Sequence, residues 1–251
     1  MGEAAARWAQ LQAGRGVPPE IRARVAWDPY RHDPAWFTPP DVPADTPSRA
    51  AGLALLDRPG TVLDVGCGGG DAAFALAGCA TELTGIDRQQ DMLDVFAATA
   101  RARGIAFHTV VGSWPEDAPA VGEADVVVSH HVLHNVVDLP PFLLALTAAA
   151  RRGVVVEMLA EHPMAWLDPL WKRFHGLVRP EPATTEDAVA VLREIGIDPE
   201  VTCWERADPP RQDPAWVARR LCLEPERVPE VDAALDELVR PRWAATLIWR
   251  V

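Results

Sequence analysis

Residues 62–71 form a short apolar run that ends in a cluster of glycines and leads directly into a helical pattern. An apolar run of this length, closed by glycines, is typical of a buried strand that turns tightly into a helix. At such a turn in an α/β protein, a ligand can approach the backbone at the carboxyl end of the strand. This segment therefore predicts an α/β fold with a ligand site at its first strand–helix turn.

Strand and helix patterns alternate along most of the chain. Short apolar runs predict strands at residues 61–65, 82–86, 107–111, 125–129, 154–158, 201–204 and 244–249. Helical spacing of apolar residues, with capping residues or prolines at several starts, predicts helices at residues 71–76, 92–104, 138–150, 184–195, 213–223 and 229–238. Strands that alternate with helices imply right-handed crossovers and a parallel sheet.

Two segments depart from this alternation. Residues 1–48 hold a predicted helix at 3–12 and then a proline-dense stretch with interleaved aromatic residues, where long regular elements are unfavourable. We expect this segment to be an arm or cap that packs on the cleft, either as a structural cover or as a substrate lid. Residues 49–251 form the main predicted domain, with a helical insertion at about 160–180 after the fifth strand.

The charge balance narrows the class of partner. The chain has 24 Lys+Arg and 36 Asp+Glu, a formal net charge of −12 at pH 7, and such a negative field repels phosphate backbones. The N-terminus shows no signal-peptide pattern, no run reaches about 18 apolar residues, and the four cysteines form no C-x-x-C pair. We therefore expect a cytoplasmic protein with a small-molecule partner, no membrane span and no zinc ribbon.

The spacing of the glycines distinguishes a dinucleotide-binding site from another kind of nucleoside site. The dinucleotide pattern G-x-G-x-x-G fails because Asp71 stands at its third glycine position, whereas D-x-G-x-G-x-G fits residues 64–70. The next predicted strand ends in Asp87, about 20 residues after Gly66, where a carboxylate can accept hydrogen bonds from both hydroxyls of a ribose. The turn and the acid together predict a nucleoside site.

These residues resemble the class I S-adenosylmethionine-dependent methyltransferases, most strongly over residues 50–158. The resemblance implies a Rossmann-like, doubly wound, mostly parallel seven-stranded sheet with an antiparallel last strand. It also implies the cofactor S-adenosyl-L-methionine, which carries no phosphates and needs no third glycine. The cofactor site that it implies comprises Asp64, Gly66, Cys67, Gly68, Gly70, Asp87, Arg88, Met92, Gly112, Ser113, Trp114, Ser129 and His130.

One position departs from the family pattern. The family often has an acid at the position of Ser113, where it bonds the adenine amine. A serine can still offer backbone and hydroxyl contacts, and Trp114 could cover the face of the ring.

Three histidines follow the fourth predicted strand, at His130, His131 and His134. In the resembled family this strand end lines the methyl-transfer site, so one imidazole could contact the methionine moiety and another could deprotonate an acceptor. Glu157 ends the fifth strand and could bind the acceptor or balance a histidine. We take His131, His134 and Glu157 as candidate catalytic residues, with plain packing as the alternative. No metal is expected, because His130 and His134 lack a nearby third ligand.

Aromatic residues mark the predicted acceptor side. The candidate substrate-binding residues are Trp36, Phe37, His162, Trp166 and Trp171. Flat side chains favour a flat or apolar acceptor, although the stripe on the inserted helix also suits core packing.

We therefore predict S-adenosylmethionine-dependent methyl transfer to a small-molecule acceptor, in which an O, N or C nucleophile attacks the methyl group in line. The acceptor, the use of a general base and the oligomeric state stay open. The alternatives are a non-catalytic S-adenosylmethionine-binding protein with a regulatory or interaction role, a less favoured NAD-dependent oxidoreductase, and RNA methylation, which the charge disfavours.

Overall fold

The computed structural model describes residues 2–207, 211–238 and 242–251, and a seven-stranded sheet lies at its centre. The strands are β1 (Gly60–Val65), β2 (Ala80–Asp87), β3 (Phe107–Val111), β4 (Ala124–His130), β5 (Ala150–Leu159), β6 (Glu200–Glu205) and β7 (Trp243–Arg250). The α-helices are α1 (Glu3–Ala13), α2 (Pro19–Arg22), α3 (Pro47–Leu55), α4 (Asp71–Phe74), α5 (Gln90–Arg103), α6 (Ala118–Val121), α7 (Leu139–Ala149), α8 (Asp168–His175), α9 (Thr185–Glu194), α10 (Pro214–Arg220) and α11 (Val228–Leu235). None of the helices in the described part of the chain has the length and apolar character to cross a membrane.

The strands lie in the order β3-β2-β1-β4-β5-β7-β6. β1 pairs in parallel with both β2 and β4, and the parallel pairing continues to β3 on one side and to β5 on the other. β7 lies between β5 and β6 and runs antiparallel to both. The predicted fold class, a Rossmann-like and mostly parallel sheet with an antiparallel last strand, is therefore confirmed.

Alternate residues of β1 enter cores on opposite faces of the sheet. Leu63 and Val65 pack in a cluster with residues of α1, α7 and α9, whereas Val62 packs in a second cluster with residues of α3, α4 and α5. Successive side chains of a strand point to opposite faces, so a strand covered by helices on both sides must be apolar throughout. The short apolar runs that predicted the strands follow from this double burial.

A third apolar cluster lies among helices outside the sheet. It joins Trp166, Leu170 and Trp171, from the segment that follows β5, to residues of α2, α10 and α11. The predicted helical insertion is present as a short 3-10 turn, Ala165–Leu167, followed by α8. Its apolar stripe is core, because both indoles are buried there.

The N-terminal segment contacts the main body at two places. Helix α1 packs on α9, where the Ala4 N–H group donates to the Glu194 carboxylate at 2.8 Å. The proline-dense stretch forms a single 3-10 turn, Pro34–Phe37, and this turn packs near α5. The division of the chain into an arm of residues 1–48 and a domain of residues 49–251 stays a prediction.

Parallel strands bring their carboxyl ends to one edge of the sheet. Asp87 ends β2, Val111 ends β3 and His130 ends β4, and the glycine turn follows β1 at the same edge. Glu157 of β5 is paired with His130 in the register of β4 and β5. The chain reverses its direction of winding between β1 and β4, and such a reversal opens a crevice outside the strand ends.

Substitution of Trp8 tests how firmly α1 is anchored to the core. Its indole is fully buried, its Nε1–H donates to the Val136 carbonyl at 2.8 Å, and its ring stacks on His134. We expect Trp8→Ala to lower the free energy of unfolding in urea by about 3–5 kcal/mol, because it leaves a large cavity. Arg7→Ala is the matched control, since it removes only an exposed ion pair with Asp187 and should lower the stability far less than Trp8→Ala does. Equal and small losses for the two variants would contradict the core position of α1.

Candidate functional site

The glycine turn after β1 adopts a backbone that suits glycine alone. Gly66 and Gly70 have φ angles of 70° and 95°, in the left-handed region that other side chains rarely adopt. A Cβ atom on Gly70 would also lie 2.5 Å from the Phe96 ring. The turn is fixed to the neighbouring strand, because the Gly66 and Cys67 N–H groups donate to the Ile86 carbonyl at 2.9 and 3.1 Å.

Asp87 ties the end of β2 to this turn. One carboxylate oxygen accepts the Gly68 N–H at 2.9 Å, and the other accepts the Gln89 N–H at 2.9 Å. An ionised carboxylate has about four lone-pair sites, so each oxygen can accept a further hydrogen bond. Because Asp87 also lines the cavity described below, its carboxylate is held in place for hydroxyl donors of a ligand.

Asp64 lies at the base of the turn and is almost fully buried. Its carboxylate accepts the Ala73 N–H at 3.1 Å, which fixes α4 against the end of β1. Burial raises the pKa of Asp64 to about 7, and the nearby carboxylates of Asp71 and Asp87 add to the rise. A cationic ligand group close to Asp64 would favour its ionised form.

An acid beyond the glycine motif holds the segment that follows β3. Asp117 accepts the Ser113 N–H at 2.8 Å, and its carboxylate packs so closely on Gly112 that a side chain there has no room. The Trp114 indole donates to the Phe142 carbonyl at 3.2 Å, which fixes its ring beside this segment. Asp117 therefore places a carboxylate next to the position where the family pattern has an acid and this chain has Ser113.

A cavity of about 1110 Å³ runs along the carboxyl edge of the sheet. This volume lies above the common range for a single small-ligand site, about 300–1,000 Å³, and leaves room for two ligands side by side. Adjacent strands are about 4.8 Å apart, so the three steps from β2 through β1 and β4 to β5 separate the two ends of the crevice by about 14 Å. We call these the β2 end and the β5 end.

His131 and Glu157 form the polar centre of the β5 end. His131 Nε2 lies 3.0 Å from Glu157 Oε1, and the His131 backbone N–H donates to the Glu157 carbonyl at 2.7 Å. An ionised carboxylate can only accept, so a neutral His131 carries its proton on Nε2 and keeps a lone pair on Nδ1. His131 has a φ of 61°, a strained conformation for a side chain of this size that the two contacts help to hold. The His131 side chain is 38% exposed and lines the cavity.

Glu157 stays ionised although it is buried. Burial pushes its pKa up, but the hydrogen bond from His131 and the charges of His130 and His131 outweigh burial and lower the pKa to about 2. The Ser48 hydroxyl of α3 contributes in the same direction, and it shares a 2.7 Å hydrogen bond with the Thr246 hydroxyl. Glu157 therefore provides a fixed negative charge beside the His131 imidazole.

The other histidines near this end are uncharged at neutral pH, and His134 is buried whereas His130 and His162 are half-buried. Burial lowers the pKa of His130 and of His134 to about 4 and that of His162 to about 3. His134 lies in the core beneath α1, with Nε2 3.1 Å from the Leu159 carbonyl. His130 Nδ1 is 3.9 Å from Glu157, too far for a hydrogen bond. In the parts of the chain that the structure describes, no three His, Cys, Asp or Glu side chains are grouped to hold a metal ion.

The cavity brings most of the predicted site residues together. The predicted cofactor residues that line it are Asp64, Gly66, Cys67, Gly68, Asp87, Arg88, Met92, Gly112, Ser113, Trp114 and His130. The predicted acceptor and catalytic residues that line it are Trp36, Phe37, His162, His131 and Glu157. Their shared position is an observation, whereas the role of each residue stays a prediction.

Five predicted site residues lie behind the cavity wall, namely Gly70, Ser129, His134, Trp166 and Trp171. Ser129 is buried and donates its hydroxyl to the Val65 carbonyl at 3.0 Å, so it serves the sheet. Trp166 and Trp171 belong to the third apolar cluster, and His134 packs between Trp8 and His162. Apolar spacing and strand-end position do not distinguish a residue of the cavity wall from the core residue behind it, which is why the sequence grouped them.

Several lining residues were missed by sequence reasoning. His32, Ser48, Asp117, Met164 and Arg220 reach the cavity from five separate parts of the chain. None of them belongs to a glycine turn or a strand end, so only the tertiary fold brings them to the site. The predicted helix at 213–223 gave the position of Arg220 in the chain but no reason for it to face a ligand.

Comparison with known proteins gives a family for the central segment. A family profile described as "Methyltransferase domain" matches residues 62–153. The chain is 26% identical over 135 residues to a ubiquinone biosynthesis O-methyltransferase of Rhizobium leguminosarum, covering 48% of this chain and 54% of that protein. It is 33% identical over 120 residues to an O-antigen chain terminator bifunctional methyltransferase/kinase of Escherichia coli, covering 44% of this chain and 17% of that protein. The chain thus spans about half the length of the first relative and less than a fifth of the second.

A solved structure shares the fold over nearly the whole chain. It is magnesium protoporphyrin IX methyltransferase from Synechocystis PCC 6803 with bound SAH, with a TM-score of 0.52 and 14% identity, covering 98% of this chain and 92% of that one. At this identity the similarity shows the fold alone. The domain match and the shared fold agree with the resemblance read from residues 64–70 and from Asp87.

Asp64 makes the stability of the protein depend on pH. Between its ordinary pKa of 3.8 and about 7, the folded protein holds the Asp64 proton more tightly than the unfolded chain, so stability falls as pH rises through this window. Asp64→Asn removes the titration and keeps an acceptor for the Ala73 N–H. We expect the variant to match the wild type near pH 4 and to exceed its free energy of unfolding by about 1–3 kcal/mol at pH 8, measured by urea unfolding.

Asp45→Asn provides the control for this comparison. The Asp45 side chain is 96% exposed, so its substitution should not produce the gain in stability at pH 8 that is expected for Asp64→Asn. A difference between Asp64→Asn and the wild type that stays constant from pH 4 to pH 8 would contradict the raised pKa of Asp64.

Proposed function

Because this chain carries a class I S-adenosylmethionine-dependent methyltransferase domain, we propose that it transfers the methyl group of S-adenosylmethionine to a hydroxyl group of a small-molecule acceptor. The observation that carries the proposal is that one cavity holds both the glycine turn with Asp87 and the pair of His131 and Glu157. The first feature suits a nucleoside, and the second suits removal of a proton from an acceptor. Transfer of a methyl group to a hydroxyl oxygen uses both the nucleoside site and the pair that removes the proton.

The chemistry of the β2 end fits the cofactor. Asp87 offers two carboxylate oxygens to ribose hydroxyls, and the glycine turn lets a ligand approach the backbone closely. Met92 and Trp114 provide apolar surface for a base, and the buried carboxylate of Asp64 provides negative charge for an ammonium group. When bound, S-adenosylmethionine would supply an electrophilic methyl group on a positively charged sulfur.

His131 is the proposed general base. Its Nδ1 lone pair can accept the proton of an acceptor hydroxyl, which makes the oxygen a stronger nucleophile. Glu157 keeps the proton of the neutral ring on Nε2 and stabilises the imidazolium that forms, across a distance of 3.0 Å. His134, the other histidine predicted to act as a base, is enclosed in the core, so His131 is the better placed of the two.

A hydroxyl acceptor makes the best use of this arrangement. A neutral amine already presents a lone pair, whereas a hydroxyl must lose its proton as the new bond forms. A base held in one tautomer by a buried carboxylate therefore helps oxygen more than nitrogen. The description of the Rhizobium leguminosarum relative as an O-methyltransferase supports the same choice.

The binding of S-adenosylhomocysteine tests the role of Asp87. We expect Asp87→Ala to weaken this binding by about 2 kcal/mol or more in calorimetry, because hydrogen bonds to a charged acceptor are lost. Asp87→Asn keeps an oxygen for the Gly68 N–H, so it should preserve the turn and recover part of the affinity. Asp94→Ala, on the exposed side of α5, should bind like the wild type. Unchanged affinity in Asp87→Ala would remove the nucleoside role of Asp87.

Turnover tests the His131–Glu157 pair. The acceptor is first identified by mass spectrometry, as a product that gains the label from methyl-labelled S-adenosylmethionine in a metabolite extract. We then expect His131→Ala to lower kcat about 10²–10⁴-fold and to change the affinity for S-adenosylhomocysteine less than about threefold. Glu157→Gln should lower kcat about 10²-fold, because the tautomer of His131 is no longer fixed. His108→Ala, at an exposed position of β3, is the control histidine.

Each alternative function gives a different result in these assays. A protein that binds S-adenosylhomocysteine but methylates nothing in any extract is a binding protein and not an enzyme. Heat from an NAD titration, with none from S-adenosylhomocysteine, would favour an oxidoreductase. A His131→Ala variant with wild-type kcat would leave the transfer without a base and would argue that alignment alone drives it.

A further inference from the structure

Arg220 of α10 presents a cation to the β5 end of the cavity. Its guanidinium is partly buried, donates one hydrogen bond from NH1 to the Pro29 carbonyl at 2.9 Å and lies 4.9 Å over the Tyr30 ring. A guanidinium has five N–H donors in a planar fork, so these contacts leave donors unused. Arg220 also lines the cavity wall.

In the part of the chain that the structure describes, no carboxylate forms an ion pair with Arg220. Among the described residues, no Asp or Glu oxygen lies within 4.0 Å of its guanidinium, whereas Arg15 is paired with Asp168 at 2.8 Å nearby. Asp28 attracts Arg220 only from a greater distance. Taking a charge out of water is costly unless the charge is paired, and in a chain with a net charge of −12 there is no shortage of acids to pair it. An arginine left without an ion-pair partner on a cavity wall indicates a partner that comes from outside the chain.

The other described arginines that line the cavity differ from Arg220 in their partners or in their position. Arg49 donates to the Ala75 carbonyl at 3.2 Å and faces Asp45 at 3.8 Å. Arg88 directly follows Asp87 and is exposed at the β2 end, where the cofactor is proposed to bind. Among the described arginines that line the cavity, Arg220 is therefore the one that lies away from the proposed cofactor end and has no Asp or Glu oxygen within 4.0 Å.

The neighbours of Arg220 locate it on the acceptor side. Its charge acts on His32 and on His162, which both line the cavity. His162 follows β5, three strands away from Asp87, and it is the neighbour that places Arg220 on the acceptor side. His32 packs edge-on against Phe37 at 5.6 Å, and Phe37 lies against Gly68 and Gly69 of the glycine turn. Trp36 lines the same region and is 54% exposed, so flat aromatic surface stands beside the cation.

We propose that Arg220 binds a carboxylate group of the methyl acceptor, and that the acceptor is a hydroxylated aromatic carboxylic acid. This inference rests on the proposed function. The planar fork of a guanidinium matches a carboxylate with two parallel hydrogen bonds, and a single cation balances the single charge of that group. The aromatic ring of the acceptor packs beside Trp36, and its hydroxyl faces His131. Arg220 then fixes the orientation of the acceptor within the β5 end of the cavity.

Matched pairs of ligands test this directly. Calorimetry on protein saturated with S-adenosylhomocysteine compares 3,4-dihydroxybenzoate with 3,4-dihydroxybenzamide, and 4-hydroxycinnamate with 4-hydroxycinnamide. We expect at least one acid to bind the wild type at least about tenfold more tightly than its amide, because only the acid pairs with the cation. Arg220→Gln should reduce that preference to within about twofold and leave the affinity for S-adenosylhomocysteine unchanged.

Two further variants separate charge from folding. Arg220→Lys keeps the charge but not the fork, so it should retain part of the preference even where Arg220→Gln folds poorly. Arg219→Gln is the matched control, since Arg219 is exposed and its guanidinium lies over Trp27, and it should retain the full preference.

The outcomes distinguish this inference from the proposed function. Wild-type protein that binds S-adenosylhomocysteine but prefers no acid over its amide overturns the role of Arg220 and leaves methyl transfer standing. A preference that survives in Arg220→Gln overturns it as well. Protein that binds no S-adenosylhomocysteine refutes the proposed function itself, and a preference for the acids in that protein would still assign the anion site to Arg220.

Discussion

The hydrogen bond from the Gly68 N–H to the Asp87 carboxylate is the contact on which the rest of the site depends. It joins the turn after β1 to the end of β2, two segments that parallel pairing already brings to the same edge. It acts together with the bonds from the Gly66 and Cys67 N–H groups to the Ile86 carbonyl, and the turn needs such contacts because glycine loses more backbone entropy on ordering than any other residue. With it, the acid and the open backbone face one cavity in a fixed relation.

The sheet order then divides the cavity into two chemical halves. The β2 end holds Asp64 and Asp87, whose carboxylates suit hydroxyl and ammonium donors, and their mutual repulsion adds to the raised pKa of Asp64. The β5 end holds the imidazole of His131 against Glu157. The helices of the third apolar cluster bring Arg220 to this second half from a distant part of the chain. The groups proposed to bind a cofactor and the groups proposed to handle a proton therefore lie in one cavity without sharing side chains.

Sequence patterns predicted the fold and most of the residues that line the β2 end, although they missed Asp117. Double burial forces apolar strands, and a turn that approaches a ligand needs glycine, so residues 62–71 carry both signals locally. The β5 end was only partly predictable. His131 and Glu157 were found because they lie near the ends of neighbouring predicted strands. Their 3.0 Å contact depends on the register that pairs His130 with Glu157, which no local pattern encodes. Trp171 and Arg220 show the remaining limit, since helical spacing alone does not decide which residue meets the core and which meets the cavity.

A crystal structure of the protein with S-adenosylhomocysteine tests the central claim most directly. The account predicts that both ribose hydroxyls lie within about 3.2 Å of the Asp87 carboxylate oxygens while the Gly68 N–H still donates to the same carboxylate. It also predicts that the sulfur points toward the β5 end, on the side of His131. A nucleoside bound elsewhere, or an Asp87 side chain turned away from the sugar, would contradict the account.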